Sequence, residues 1–396
     1  MKKILIAAVA LFAGIYVQAQ DPIYEIINLI VENNPGLRAK AATAEADKAD
    51  LANANVLPDP EVSVSNMWGY SHLGNKFSVG VSQSFDWPGA YGARRSAASS
   101  RNQAAAFRML AERLDVALSA KEQLYELVYI RQQIDLLHNL EGNLDSLQAS
   151  IDRGFEKGEL TVLDRRKIRI ERYKFNSTLT DLEARAHTIA SSIAALAPGV
   201  ELPLASVDAY PVEPRLSDDD YFAQISALDP AYLSAEQEAA AENDEARAAR
   251  LSKYPGFTIG YEYENELGDI FNGFSASMTL PFLYGDKGRG AAQARRRAAE
   301  FDRVAAEASA RSRIDGALRE CDLWNRQRQA YIDVFGDNQY LVLLSKAYRG
   351  GQINVIDYFT EINYFYETTL QFLEADYRYR CALASLNRFN LLITPR

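Results

Sequence analysis

The sequence predicts a mainly α chain carrying four membrane-type β-strands, built as an internal two-fold repeat. Three observations lead there. Matched motifs recur in the same order in both halves; two helical stretches are very long; and short segments alternate bulky apolar with small or polar side chains.

The repeat sets the frame. Asn34-Pro35 and Asp229-Pro230 each open an Ala-rich helical pattern that closes at Pro60 and Pro255, with equal spacing in the two halves. Alternating segments follow, Glu61-Val62-Ser63-Val64-Ser65 and Gly256-Phe257-Thr258-Ile259-Gly260-Tyr261. Further alternation leads into Trp87-Pro88 and Leu280-Pro281, then Tyr91-Gly92 and Tyr284-Gly285. Gly158-Glu159-Leu160-Thr161-Val162-Leu163-Asp164 is mirrored by Gly351-Gln352-Ile353-Asn354-Val355-Ile356-Asp357. The chain therefore divides into a signal segment (1–19), a first helix–hairpin–helix–helix repeat (20–197), a Pro-rich linker (198–216) and a second repeat (217–396), with both repeats forming one structural unit.

The signal segment is read from Lys2 and Lys3, an apolar run over 4–17, and small side chains at Val17 and Ala19, with cleavage expected after Ala19. No cysteine lies nearby, so no lipid anchor is expected. Beyond it there is no apolar run of the ~18 residues that a membrane helix needs. The net charge of -10 and pI of about 5.1 argue against a general nucleic-acid binder, which needs cationic surface.

The helices come next. Residues 93–151 contain no proline and only Gly142, and Leu110, Leu114, Ala117, Leu124, Leu127, Ile134, Leu137, Leu140, Leu144, Leu147 and Ile151 recur at the spacing of a packed seam. A helix of ~60 residues is roughly 90 Å long, more than a compact enzyme accommodates. The stretch 291–347 is expected to behave similarly.

In the strands, Phe77, Val79, Val81 and Phe85 alternate with serines and Gly80, and Phe274, Ala276, Met278 and Leu280 alternate with Ser275, Ser277 and Thr279. Each segment approaches the ~9–11 residues of a tilted membrane strand, with aromatics near the ends: Trp68, Tyr70, Phe85, Trp87, Tyr91, Phe282 and Tyr284. The phase slips at Asn66 and Met67. Four strands cannot close a barrel, and open edges are not tolerated in lipid, so several chains must share one; a dimer would give eight strands and a trimer twelve. The alternative is a sheet packed on a soluble core.

Together these features resemble the TolC-type outer-membrane factors of tripartite efflux and type I secretion systems. The Gly-x-x-x-x-x-Asp turns at Gly158 and Gly351 and the strand-to-helix junctions at Trp87-Pro88 and Leu280-Pro281 carry the resemblance most specifically. Leu280-Pro281-Phe282-Leu283-Tyr284-Gly285-Asp286, followed by Arg289-Gly290-Ala291, is most similar to the heavy-metal (cobalt–zinc–cadmium or copper) branch. The resemblance implies a homotrimer in which a twelve-stranded β-barrel continues into a long α-helical barrel. It implies an outer-membrane location extending into the periplasm, contact with outer-membrane lipid, and passive export of substrates, heavy-metal cations among them. It further implies a periplasmic adaptor (membrane fusion protein) and an inner-membrane pump as partners, and no catalysis, cofactor, resident metal or nucleic acid.

By the same resemblance, 153–161 and 348–354, with Gly154, Gly158, Gly350 and Gly351, are adaptor-contacting tips. Asp164 and Asp357 would line a periplasmic constriction, where threefold rings of carboxylates attract cations. The family often carries a second acid one turn after Asp357; Thr360 stands there instead, with Glu361 beside it. Trp68, Phe85, Trp87 and Tyr284 form the membrane girdle. A structural role for both aspartates is also open, because Thr161-x-x-Asp164 and Asn354-x-x-Asp357 resemble helix caps.

Other chemistry is weaker. Gly285-Asp286-Lys287-Gly288-Arg289-Gly290 lacks the ending of a P-loop and the spacing of a dinucleotide fingerprint. His72, His138 and His187 fall in separate elements without metal-ligand spacing. Cys321 and Cys381 flank the Gly350-Gly351 turn at similar distances; antiparallel helices would make a disulfide feasible in an oxidising compartment, and two small buried seam residues are the alternative. Arg94, Arg95, Arg101, Arg289, Arg295, Arg296 and Arg297 follow the strands, where they either face headgroups or begin solvated helices. The competing function is a periplasmic coiled-coil scaffold without a channel.

Overall fold

Asn34-Pro35 and Asp229-Pro230 each stop one helix and start the next. A computed structural model describes residues 21–53, 56–69, 74–281, 288–336 and 339–392. The signal segment, Tyr70, His72, Phe282, Tyr284 and residues 285–287 lie outside them. Helix α1 (Pro22–Asn33) ends at Asn34, held extended before Pro35 (φ -66°, ψ 119°). The Asn34 Oδ1 then accepts from Leu37 N at 3.0 Å to begin α2 (Pro35–Asn53). In the second half, α5 (Asp218–Leu228) leads to Asp229, whose Oδ1 accepts from Ala231 N (2.9 Å) and Tyr232 N (3.2 Å) and opens α6 (Pro230–Leu251). Proline at the first helical position costs nothing, since its missing N–H would be unsatisfied anyway.

The remaining elements are β1 (Glu61–Trp68), β2 (Asn75–Phe85), α3 (Pro88–Glu156), α4 (Val162–Ala195), β3 (Gly256–Glu266), β4 (Asp269–Thr279), α7 (Arg289–Phe335), α8 (Tyr340–Arg349) and α9 (Val355–Leu386). Helix α3 runs 69 residues without a break. Its counterpart does not: the single run expected over 291–347 is divided into α7 and α8. The sequence Gly336-Asp337-Asn338 at that point consists of three consecutive turn-forming residue types, whereas the first half carries Gly142-Asn143 followed by Leu144 and the helix continues through them.

The chain groups into two compact units, each drawing on both halves of the sequence. The first comprises Met1–Arg38, Glu112–Gln224 and Arg311–Arg396. In it, Ile23, Ile26, Ile27 and Ile30 form one stripe of α1 against Ala117, Ala120, Leu124, Leu127 and Val128 of α3 and Ile193 of α4. A second cluster joins Ile130, Leu137, Leu140, Leu147 and Ile151 of α3 to Ile168, Phe175 and Leu182 of α4 at heptad-like spacing, together with Leu344, Phe359 and Ile362.

The second unit comprises Ala39–Ala111 and Ile225–Ala310. Its buried helical residues are mostly small: Ala90, Ala93, Ala97 and Ala104 of α3, Ala241, Ala246 and Ala248 of α6, and Ala292 and Ala299 of α7. This alanine register explains why Leu110, expected in the seam, is exposed: it falls one position before the heptad 97–104–111. Ser234 Oγ donates to Ala104 O at 3.0 Å, and Arg101 spans Glu242 (2.9 Å) and Glu245 (3.0 Å), fastening α3 to α6.

The unit also holds one antiparallel sheet in the order β1-β2-β3-β4. The register from Glu61↔Ser82 to Trp68↔Asn75 is unbroken, so the slip at Asn66 and Met67 is a change of residue type and not a bulge. The β3–β4 turn puts Leu267 (φ 56°) and Gly268 (φ 98°) in the left-handed region, the geometry of a two-residue hairpin whose twist matches its strands.

Candidate functional site

Pairing across the sheet sorts most of its side chains into an apolar and a polar face, with Asn66, Gln83, Asn265 and Asn272 on the apolar side and Met67 and Phe271 on the other as exceptions. One face carries Val62, Val64, Phe77, Val79, Val81, Phe257, Ile259, Tyr261, Tyr263, Ile270, Phe274, Ala276 and Met278. This apolar face is open to the surroundings, with Phe274 87% exposed. The other carries Ser63, Ser65, Ser78, Gly80, Ser82, Thr258, Gly260, Glu262, Glu264, Gly273, Ser275 and Ser277, with Lys76 ion-paired to Glu264. A soluble antiparallel sheet packs its apolar face on a core; here that face is the uncovered one.

Of the residues expected to form a girdle, Trp68, Phe85 and Trp87 fall at the ends of the strands, and Tyr284 lies outside the described residues. Trp68, 80% exposed, closes β1. At the opposite end Phe85 pairs with Phe257. The Trp87 ring stacks on Tyr254 at 4.9 Å and lies 6.4 Å from Phe257. The corner into α3 is fixed by Tyr91, whose hydroxyl accepts from Asp86 N at 2.8 Å, and by the Arg94–Asp86 ion pair at 2.8 Å.

The two helical turns of the first unit are built alike. At the end of α3, Glu159 N donates to Gly154 O (2.9 Å) and Gly158 N to Phe155 O (3.0 Å), with Gly158 at φ +76°. At the end of α8, Gln352 N donates to Ala347 O (2.9 Å) and Gly351 N to Tyr348 O (3.1 Å), with Gly351 at φ +71°. Both are Schellman motifs, in which a left-handed residue lets the last carbonyls find donors. Gly154 is kept small by Leu160, which packs over it, whereas Gly350 ends α8 with right-handed dihedrals.

Three residues after each left-handed glycine a cap begins the next helix. Thr161 Oγ1 accepts from Asp164 N (3.2 Å), while Asp164 Oδ2 accepts from Thr161 N (3.0 Å) and Thr161 Oγ1 (2.7 Å). Asn354 Oδ1 accepts from Ile356 N and Asp357 N, both at 2.9 Å, and its Nδ2 donates to Asp357 Oδ2 at 2.7 Å. The Gly-x-x-x-x-x-Asp signature is thus a stop, a cap and a third-position acid. The Thr161 hydroxyl and backbone N–H hold the Asp164 carboxyl below its ordinary value.

Glu361 is held within its own chain: Tyr340 Oη donates to it at 2.5 Å, and burial, followed by this carboxylate, pushes the Tyr340 phenol up to about 12. Thr360 turns its hydroxyl back to Ile356 O at 3.0 Å. The Tyr348 and Tyr358 rings stack at 4.5 Å and pin α8 to α9 beside the second turn.

Sequence reasoning missed a buried polar network that fastens the linker. Lys121 Nζ lies 2.6 Å from Glu213 Oε1, with side-chain exposures of 1% and 3%. Tyr125 Oη donates to the same oxygen at 2.5 Å, Asn387 Nδ2 donates to Glu213 Oε2 at 3.1 Å, and Lys121 also reaches Tyr24 Oη at 3.3 Å. Burial, and then the Glu213 charge, drives the Tyr24 and Tyr125 phenols far upward. Arg131 adds bonds to Leu204 O (2.9 Å) and Val207 O (2.8 Å). One signal was legible: a lysine at position 121 interrupts the seam between Ala117 and Leu124.

Cys321 and Cys381 are both free thiols in this structure. Burial raises them to about 11 and about 12 respectively. Among the described residues, no three His, Cys, Asp or Glu side chains are placed to hold a metal ion, and no helix is long and apolar enough to cross a membrane.

No protein-family model matches the chain, and no curated protein matches it by sequence. Solved structures do. A membrane protein from Pseudomonas aeruginosa aligns with a TM-score of 0.73 at 18% identity, covering 93% of both chains. CusC, described in terms of folding and transmembrane channel formation, aligns at 0.69 with 17% identity, over 93% of this chain and 91% of its own. The CmeC outer-membrane channel of Campylobacter jejuni aligns at 0.67 with 15% identity, over 93% and 85%. The chain has the TolC-type fold of the outer-membrane channels.

Proposed function

We propose that this chain is one subunit of an outer-membrane exit channel. Three copies close a single twelve-stranded barrel, four strands from each, and the long helices, related within each chain by the two-fold repeat, continue it as a tunnel through the periplasm. The observation that carries this reading is the sheet. Its apolar face is open, its other face is small and polar, and its outer edges, on β1 and β4, are unpaired among the described residues. Lipid accepts the first face, and a water-filled lumen suits the second. Neither edge survives in lipid unpaired, which argues for closure by further copies. The fold shared with channels over nearly the whole chain supports the same conclusion.

The channel is passive. An inner-membrane pump loads it through a periplasmic adaptor that meets the turns at Gly154, Gly158, Gly350 and Gly351. Asp164 and Asp357 line the periplasmic entrance, where three copies of each favour cations. Heavy-metal cations are the cargo class suggested by the strand-to-helix junction. Fractionation of expressing cells, followed by conductance of the purified protein in planar bilayers, tests the reading. Stable single-channel steps from outer-membrane material support it; protein confined to the soluble periplasmic fraction overturns it.

A further inference from the structure

We infer that a cleft beside the strand ends binds a phosphate-bearing anion. The cleft lies in the second unit, between the last turn of α6 and the first turn of α7. It has a volume of about 270 Å³ and is lined by Arg250, Lys253, Arg289, Gly290 and Gln293. Three of these five residues are cationic. Arg250 and Lys253 form no ion pair among the described residues, so their charge is not already spent on a neighbour. Gly290 and Arg289 stand at the start of a 47-residue helix, whose dipole favours negative charge.

The arrangement fits phosphate in particular. A guanidinium presents paired N–H donors to two phosphate oxygens, and an ammonium adds a compact charge. Gln293 lies one turn into α7 and supplies a neutral amide donor. The position suggests the source. Lys253 stands three residues before β3, with its Nζ 5.2 Å from the Tyr254 ring, and that ring stacks on Trp87. Resting on the channel reading above, this aromatic pair marks the headgroup level of the bilayer, and the phosphate is that of an anionic phospholipid. Free inorganic phosphate shares the chemistry.

The test is calorimetric titration of the purified full chain in neutral detergent with short-chain phosphatidylglycerol, short-chain phosphatidylcholine and inorganic phosphate. Phosphatidylglycerol should bind at least tenfold more tightly than phosphatidylcholine, and the double variant Arg250→Gln/Lys253→Gln should lose at least tenfold. Both side chains are exposed, so the variant keeps its helix content by circular dichroism. Arg247→Gln, one turn earlier on α6 and outside the cleft, should bind as the parent does. Inorganic phosphate that binds as tightly as phosphatidylglycerol, with both lost in the double variant, supports the anion site with the free ion as ligand. Equal binding of the two lipids without phosphate binding, or an unchanged double variant, overturns the inference. Fractionation reads the channel separately: a chain absent from the outer membrane sinks that reading and leaves the titration to decide this one.

Discussion

Lys121 and Glu213 form an ion pair at 2.6 Å that is almost wholly withdrawn from water, and it joins the middle of the longest helix to the segment linking the two halves. Two buried charges gain little over a well-packed apolar pair, but removing one of them strands the other. Lys121→Met or Glu213→Gln should each destabilise the fold by about 3–5 kcal/mol. The double variant should cost less than the two single losses added together. Chemical denaturation across this cycle measures the coupling; additive losses would mean that the pair does not hold the linker.

Gly158 and Gly351 should resist substitution for the same reason. Each sits at positive φ, where a β-carbon crowds the backbone, and each turn depends on that conformation for two hydrogen bonds. Alanine at either position should destabilise its hairpin by about 1–2 kcal/mol. Faster amide exchange at Glu159 or Gln352 would report the opened turn, and unchanged exchange would contradict the account.

The two capping aspartates separate folding from conduction. Asp164 is held below its ordinary pKa, so it contributes stability that is complete above the ordinary aspartate value of 3.8 and is lost as the pH falls through the lower folded value. The first turn of α4 should therefore fray only in acid, which exchange at Asp164 N would show as the pH falls below 3.8 and not above it. Asp164→Asn and Asp357→Asn should also shift the reversal potential of the reconstituted channel toward weaker cation preference. An unchanged potential with a frayed cap would leave the aspartates as caps alone.

Much of this was legible in the sequence, and the limits have physical causes. The strands were readable because alternation with period two holds over most of each one, broken at Asn66 and Met67 in β1 and at Phe271 and Asn272 in β4. The α2 and α6 starts were readable because Asn34-Pro35 and Asp229-Pro230 carry a cap and a helix-starting proline in adjacent positions. Leu110 was misplaced because alanines, which give weak periodicity, set the register of that part of α3. The Lys121–Glu213 pair was missed because its members are 92 residues apart and a charged residue in a helix is ordinarily read as solvated. The division of α7 from α8 was missed because one glycine followed by two polar residues was outweighed by a long helical pattern.

The thiols give a further check. Thiolate is the reactive form, and burial holds Cys321 at about 11 and Cys381 at about 12, against an ordinary value of 9.0. At pH 8 the folded protein should alkylate on the order of 100-fold more slowly at Cys321 than an unperturbed thiol does. Denatured protein, without reductant, should show two free thiols. A count of zero would mean that the pair bridges.

The mass of the membrane-extracted protein, measured by light scattering in detergent and corrected for bound detergent, tests the shared barrel most directly. The account predicts a particle of three chains that depends on detergent. A monomer that stays dispersed without detergent would mean that the sheet closes on a soluble core, and the channel reading would fall.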